Sequence, residues 1–373
     1  MSDCSEAVAL RASWGVAVES LPHGEYAPRT AYLNTAAHGL LPARTTAALR
    51  ETVTRMGDGR IDSVAYFGEV EAARAAFARV AGVAPERVAV GSAVAVHTAV
   101  IAGSLPPGSE VLYPHDEFSS LVTPFTQRAG VRLRAVELDG LADAVGPGTT
   151  LVAVSAVQSL DGRVADLPAI RAAARRHGAR TLVDTTQATG WLPLSSGDFD
   201  FTVCAGFKWL LCPRGTSFLT VPEDGGGLVP LHAGWIAAAD LSNSTYGPVG
   251  ELARDARRFD EPPGYLPWVA AARSLTLVEE VGRAAIAAHD LGLARRFRAG
   301  LAELGMAAVP ADSPIVSAPG LGDAASALHE AGIVVAARGG NLRASFHLHN
   351  TEADVDRALN ALADAGRQAP LGT

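Results

Sequence analysis

The hydrophobic positions of this chain fall into two alternating patterns. Five short runs are apolar at nearly every position and rich in β-branched residues: "EVLYP" (110–114), "TLVAVSAV" (150–157), "TLVDT" (181–185), "FDFTVCA" (199–205) and "TSFLTV" (216–221). A strand with one wet face alternates polar and apolar residues, so continuous runs of this kind predict strands buried on both faces of a mainly parallel sheet. Between them the apolar residues recur at helical spacing. "EVEAARAAFARVAGV" (69–83) puts Val70, Ala73, Phe77 and Val80 on one face and Gly82 at its end. "DLPAIRAAARRHGAR" (166–180) has Asp166 to cap it, Pro168 in its first turn and Gly178 to stop it. Strand and helix in alternation predict an α/β fold with a doubly wound sheet.

After about residue 225 the pattern changes. "EDGGGLVP" (223–230) and "LSNSTYGPVGE" (241–251) read as loops, and 267–304 as a long helical region rich in Ala, Leu and Arg. In the last helix Thr351 and Asp354 form a capping box, Val355, Leu359 and Leu362 an apolar stripe, and Gly366 the end. These shifts predict a large α/β domain over 25–240, a smaller α+β C-terminal domain over 241–373, and an N-terminal segment, 1–24, packing on the smaller one.

Composition narrows the function. A hydrophobic fraction of 48% with 19% charged residues is that of an ordinary globular protein, and a net charge of −8 without a Lys/Arg block argues against nucleic-acid binding. The first residues, "MSDCSEAVALRASWGV", read without a signal peptide. The most apolar stretch, 88–105, is broken by Gly, Ser, His and Thr, and reads as a strand entering a helix rather than a membrane span. Cys4, Cys204 and Cys212 are odd in number and lack metal spacing, which suggests reduced thiols in a cytoplasmic protein. His347 and His349 share a strand face without a third ligand, so no metal site is expected; they, His115 and His232 read as structural or surface residues.

Chemistry concentrates around one lysine. In "TVCAGFKWLLCPRGTSFLTV" (202–221), Lys208 stands among bulky apolar residues, where a lysine is rarely found without a partner or a task. Asp184 ends the preceding apolar strand, three residues before Gln187. In open α/β sheets ligands collect at the carboxyl ends of strands, which is where both residues fall. A lysine in an apolar pocket has a lowered pKa and becomes a nucleophilic amine able to form a Schiff base. A carboxylate can hold a pyridine nitrogen protonated, so that the ring draws electrons. Pyridoxal phosphate uses both. Taken singly, Asp184 reads as a turn cap and Lys208 as a snorkelling side chain.

The whole stretch "LVDTTQATGWLPLSSGDFDFTVCAGFKWLLCPRGTSFLTV" (182–221) resembles the signature of the class V aminotransferases, a family that includes cysteine desulfurases, isopenicillin N epimerase-like and kynureninase-like enzymes. "AYLNTAAHGLLPART" (31–45), "VAVGSAVAVHTAV" (88–100), "DEFSS" (116–120) and "RASFHLHNTEADVDRAL" (343–359) resemble further family segments. The resemblance implies PLP fold type I, with a mainly parallel seven-stranded sheet, pyridoxal 5'-phosphate as cofactor, a small amino-acid substrate, and a homodimer with active sites at the subunit interface. It implies that Lys208 forms the Schiff base and moves the Cα proton, that Asp184 pairs with the pyridine nitrogen, and that Gln187 bonds the ring hydroxyl. Phe118 would stack on the ring, though by itself it reads equally as core. Ser92, Ala93 and Val94 would offer amides to the phosphate at a helix N-terminus. Arg343 would hold the substrate carboxylate bidentately, where a lone arginine reads as a surface ion pair. His38 and Ser159 (or Gln158) would face the substrate, as would Trp235, which reads equally as core.

The departures matter as much. Relatives often carry Ser-x-His or a tyrosine before the lysine, for the phosphate; here the residues are Ala205, Gly206 and Phe207. Val94 replaces a threonine of the phosphate loop, and "DEPPGYLPW" (260–268) a Gly-Thr segment. The region "EAGIVVAARGGNLRAS" (330–345) lacks the cysteine of desulfurases, which disfavours that activity. The expectation is an aminotransferase, with a β-lyase or epimerase as alternatives. A non-catalytic sensor or partner protein on the same fold is a further one. A dinucleotide-binding oxidoreductase is disfavoured because no G-x-G-x-x-G follows the first strand.

Overall fold

The structure is a computed structural model and describes residues 24–368. Its first part runs β1 (Ala31–Tyr32), α1 (Ala43–Gly57), α2 (Ser63–Ala81), β2 (Val88–Gly91), α3 (Val94–Ser104), β3 (Glu110–Pro114), α4 (Ser119–Thr126), β4 (Arg132–Val136), α5 (Leu141–Ala144), β5 (Leu151–Ser155), α6 (Leu167–His177), β6 (Arg180–Asp184), β7 (Phe201–Ala205) and β8 (Ser217–Thr220). After an irregular passage come α7 (Tyr265–Val281), α8 (Arg283–Glu303), β9 (Ile315–Ala318), α9 (Ala324–Glu330), β10 (Ile333–Val334), β11 (Ala336–Arg338), β12 (Asn341–Ser345) and α10 (Glu352–Gln368). Each of the five apolar runs is a strand, and α2 and α6 end at Gly82 and Gly178 in the left-handed conformation expected of them.

Seven strands form one sheet in the order β2-β8-β7-β6-β5-β3-β4. Within it β8 runs antiparallel to both neighbours, and the remaining pairs are parallel. The period of two along a strand sends alternate residues to opposite faces. Leu151 and Ala153 of β5 face one core with Ile101 of α3 and Phe125 of α4. Val152 and Val154 face the other, with Phe77 of α2, Ile170 of α6 and Trp268 of α7. There Phe218 stacks on Phe77 with centroids 3.9 Å apart and meets Trp268 edge-on at 5.4 Å. Burying rings of this size contributes roughly 1.5–3 kcal/mol each.

Helix α7 therefore belongs to the core of the large sheet, and the boundary expected near 240 does not coincide with a break in packing. The helical region expected over 267–304 is two helices that meet at Gly282, whose φ of +81° is the turn only glycine adopts freely. A third core joins Leu33 to Phe297 of α8, Leu342 of β12 and Val355 of α10. β1 pairs with β10, so the chain's first described strand is built into its last third. The capping box forms as read: Thr351 N–H and Oγ donate to Asp354 Oδ2 at 2.9 and 3.1 Å, and Asp354 N–H returns to Thr351 Oγ at 3.3 Å. Helix α10 runs on past Gly366 to Gln368. The expectation for 1–24 lies outside the described residues, Gly24 excepted.

Candidate active site

Because all strands but β8 run one way, β2, β3, β5, β6 and β7 end at a common edge, and a pocket opens there. Asp184 closes β6, and Lys208 follows β7 by three residues. Both line the pocket, with Gln187, Phe118, Ser92, Ala93, Val94 and Ser159. The fold thus brings together most of the residues read from the sequence.

Lys208 is 7% exposed, with Nζ 5.3 Å from the Phe118 ring centroid and 5.9 Å from that of Phe207. Among the described residues no carboxylate forms an ion pair with it. Burial pushes the amine down to about 8; the Asp184 charge opposes this and the Arg343 charge adds to it. Burial likewise pushes the Asp184 carboxyl up to about 6, although it accepts the Thr186 N–H at 2.8 Å. Thr186 Oγ in turn accepts the Ala205 N–H at 2.9 Å, locking the ends of β6 and β7 together. Gln187 donates from Nε2 to the Ala36 carbonyl at 3.0 Å and accepts at Oε1 from Trp209 Nε1 at 2.7 Å, which leaves one amide N–H for a ligand.

The turn carrying Lys208 is clamped from two sides. Gly39 N–H donates to the Phe207 carbonyl at 2.9 Å, and a Cβ on Gly39 would lie 2.2 Å from the Lys208 carbonyl oxygen, so the segment after β1 reaches this turn only with glycine there. Leu211 closes the turn in the left-handed region, φ +58°, a conformation a branched side chain holds only when its surroundings enforce it. From the other side the buried His347 ring lies between Asp290 Oδ2 at 2.7 Å and the Trp209 carbonyl at 3.1 Å. Burial alone would raise Asp290, but His347 and His289 hold it below the usual carboxylate range. His347 is structural, as read, and its work is to seat the lysine turn.

Arg343, on β12, is 3% exposed and donates to the Ser159 carbonyl, while its Nε has no partner. Burial pushes it down to about 10, and it has no carboxylate partner among the described residues. A buried guanidinium without a counter-ion is costly, and a ligand carboxylate relieves it.

The other end of the pocket is the start of α3, where Ala93 provides no side-chain cap. Ser92 is spoken for: its N–H donates to Glu261 Oε2 at 2.9 Å, and its Oγ donates to the same carboxylate at 3.0 and 3.1 Å. Of the three amides expected to meet the phosphate, those of Ala93 and Val94 remain. Glu261 is fixed by its neighbour Asp260, which is buried against Arg74 at 2.6 Å and accepts the Val90 N–H at 2.8 Å.

Other expectations are corrected. Trp235 meets Phe67 edge-on at 5.3 Å and does not line the pocket. His38 bonds the Gly39 carbonyl through Nδ1 at 2.7 Å, lies 5.6 Å from the Phe207 ring and does not line the pocket. Gln158 donates to Glu117 Oε2 at 3.1 Å, which leaves Ser159 as the pocket residue of that pair. Glu117 also takes the Ser155 N–H and Oγ and the Phe118 N–H, and so aims Phe118, 44% exposed, at the pocket. Sequence reading missed Glu117, Thr186 and Arg214. A cation six residues after Lys208 in otherwise apolar sequence was the available signal for Arg214, which also lines the pocket.

Residues 31–358 match the family "Aminotransferase class-V", and the chain belongs to that family. It is 30% identical to isopenicillin N epimerase of Streptomyces clavuligerus over 78% of this chain and 83% of that one. Its fold is similar to that of a cysteine desulfurase from Thermococcus onnurineus NA1, with TM-score 0.79, 22% identity, and 91% and 95% of the two chains covered. It is also similar to a mutant of C-DES whose structure has glycine covalently linked to the PLP cofactor, with TM-score 0.82, 22% identity, and 94% and 99% covered. Cysteine desulfurases stand among the relatives, so likeness alone does not set that reaction aside.

The cofactor of this family is pyridoxal phosphate, and the residues present fit it. Lys208 is a buried amine without an ion pair, Asp184 a carboxyl that burial leaves in want of a cation, and α3 an uncapped helix start. Lys208 would hold the cofactor covalently, Asp184 its ring nitrogen, and the first amides of α3 its phosphate.

Proposed function

We propose that this class-V family member is an aminotransferase acting on a small amino acid. The observation that carries the reading is that Lys208 is the one amine lining a pocket whose other titratable side chains are Asp184 and Arg214. When bound, the cofactor supplies an electron sink for the electrons of the Cα–H bond and accepts the amino group. Arg343 fixes the substrate carboxylate through the guanidinium edge it does not use on Ser159. That orients Cα toward Lys208 Nζ, which is predominantly neutral above about pH 8 and takes the proton. A single amine carries the proton along one side of the substrate, as transamination requires.

Epimerisation is the second reading, favoured by the 30% identity to isopenicillin N epimerase. Inverting Cα calls for a second proton donor besides Lys208, and the other titratable side chains of the pocket lining are Asp184 and Arg214. Thiol-based sulfur transfer is the poorest match among the described residues: Cys204 and Cys212 are buried, burial raises both thiols, and neither lines the pocket. We place the protein in the cytoplasm as a homodimer; the exposed Val53, Ile61 and Val64, at 54%, 59% and 82%, support a covered face around α1 and α2.

Purified protein loaded with pyridoxal phosphate and offered single amino acids with a keto-acid acceptor should yield the matching keto acid. Loss of optical rotation without keto acid would instead establish the epimerase reading, and sulfide release the lyase one.

A further inference from the structure

The phosphate end of the pocket is short of positive charge. A phosphate dianion at the start of α3 meets backbone amides, but the residues lining the pocket just before Lys208 are Ala205 and Phe207, neither with a side-chain donor. The Glu261 carboxylate, held on Ser92, adds a negative charge beside the same amides. Arg343 is tied to the Ser159 carbonyl, and Lys208 is claimed by the covalent bond.

One cation in the pocket lining is free. Arg214 makes no hydrogen bond or ion pair among the described residues, and its guanidinium lies 4.4 Å from the Phe207 ring centroid. Its position is set by the sheet. Ser217, three residues on, pairs with Gly91 on one side and Ala205 on the other, so Arg214 sits between the segment leading to Ser92 and the segment leading to Lys208. The turn before β8 is firm: Thr216 Oγ donates to the Pro213 carbonyl at 2.8 Å and Gly206 N–H donates to the Thr216 carbonyl at 2.9 Å. Stacking on a ring spreads the guanidinium flat and leaves its edge donors open, the arrangement that suits bidentate phosphate recognition.

We propose that Arg214, resting on the Phe207 ring, is the cation that binds the cofactor phosphate in this chain, in place of side-chain donors absent from residues 205–207. The inference rests on the pyridoxal phosphate assignment. The amides of α3 position the phosphate, Arg214 neutralises it and offsets Glu261, and Phe207 serves as platform rather than ligand.

The test compares apo-protein affinities for pyridoxal phosphate and for phosphate-free pyridoxal in wild type, Arg214→Gln and Arg214→Lys. Arg214→Gln should weaken pyridoxal phosphate about tenfold, the scale of one charge-assisted contact, leave pyridoxal unchanged, and abolish the rise in apo-protein Tm given by inorganic phosphate. Arg214→Lys should recover part of both. Equal losses for the two aldehydes would overturn the proposal by showing a structural role for Arg214. So would an unchanged affinity with a raised KM for acidic amino acids, which would make Arg214 a reader of substrate side chains. If wild type binds pyridoxal phosphate through Lys208 and these differences are missing, the Arg214 inference alone falls; if wild type forms no such bond, the assignment beneath it falls.

Discussion

At one end of the pocket stand Lys208 and Asp184, with Arg343 held on the carbonyl of the lining residue Ser159, each less than a tenth exposed and each seated by backbone or buried side chains. At the other end the groups available are amides of an uncapped helix and an exposed arginine on a phenylalanine. The amine end works by desolvation, which acts only on particular groups at particular atoms: an ammonium cannot replace a carboxylate there. The phosphate end works by summed charge and backbone dipoles, which many arrangements satisfy. The first end carries the residue types that the family resemblance implied, and the second departs from them at Val94, Ala205 and Phe207.

The contrast breaks first at Lys208. Lys208→Ala should abolish the visible absorbance of cofactor bound through the amine and cut turnover by about 10²–10⁴-fold, the usual worth of a positioned acid–base group. An unchanged spectrum would mean that the amine end is not where the cofactor attaches.

Arg343→Gln comes next. Removing a charge-assisted carboxylate contact costs about 1.5–3 kcal/mol, so KM should rise about 10–100-fold. The same variant probes the electrostatics of the lysine. Only the neutral amine condenses with an aldehyde, so the attachment rate in wild-type apo-protein should climb with pH and level off above about 8. Arg343 pushes that value down, so Arg343→Gln should move the inflection to higher pH. Stopped-flow absorbance at several pH values reads both effects, and a fixed inflection would uncouple the two residues.

The smallest effect belongs to Glu261. Glu261→Gln removes a negative charge from the phosphate end and should tighten pyridoxal phosphate about two- to fivefold, in keeping with a solvent-screened charge, without altering pyridoxal affinity. A change in both would show that Glu261 acts by shaping the Ser92 loop.

Much of this was legible in the chain. Continuous apolar runs at 110–114, 150–157, 181–185, 199–205 and 216–221 could only be strands buried on both faces, and each is one. Lys208 and Asp184 stood out because a charged group after a buried strand needs a reason. Trp235 did not resolve, because an aromatic in a loop looks the same whether it faces a substrate or Phe67. Ser92 looked free because the carboxylate that takes its amide lies 169 residues away. The break near 240 followed a change in loop composition, which carries no record that α7 folds back onto α2 and the sheet.

The sequence by itself determined the strand–helix alternation, the glycine ends of α2 and α6 and the residue types of the amine end. All of these follow from local periodicity, from backbone preference, or from one ionisable group in apolar surroundings. Tertiary structure alone decided that Gly39 presses on the Lys208 carbonyl, that His347 steadies the same turn from the far end of the chain, that Arg214 lines the same pocket as the start of α3, and that Glu261 takes the Ser92 amide there. Electrostatic balance and close approach depend on distances in space, and residues 120 to 170 positions apart have no local pattern through which to announce that they meet.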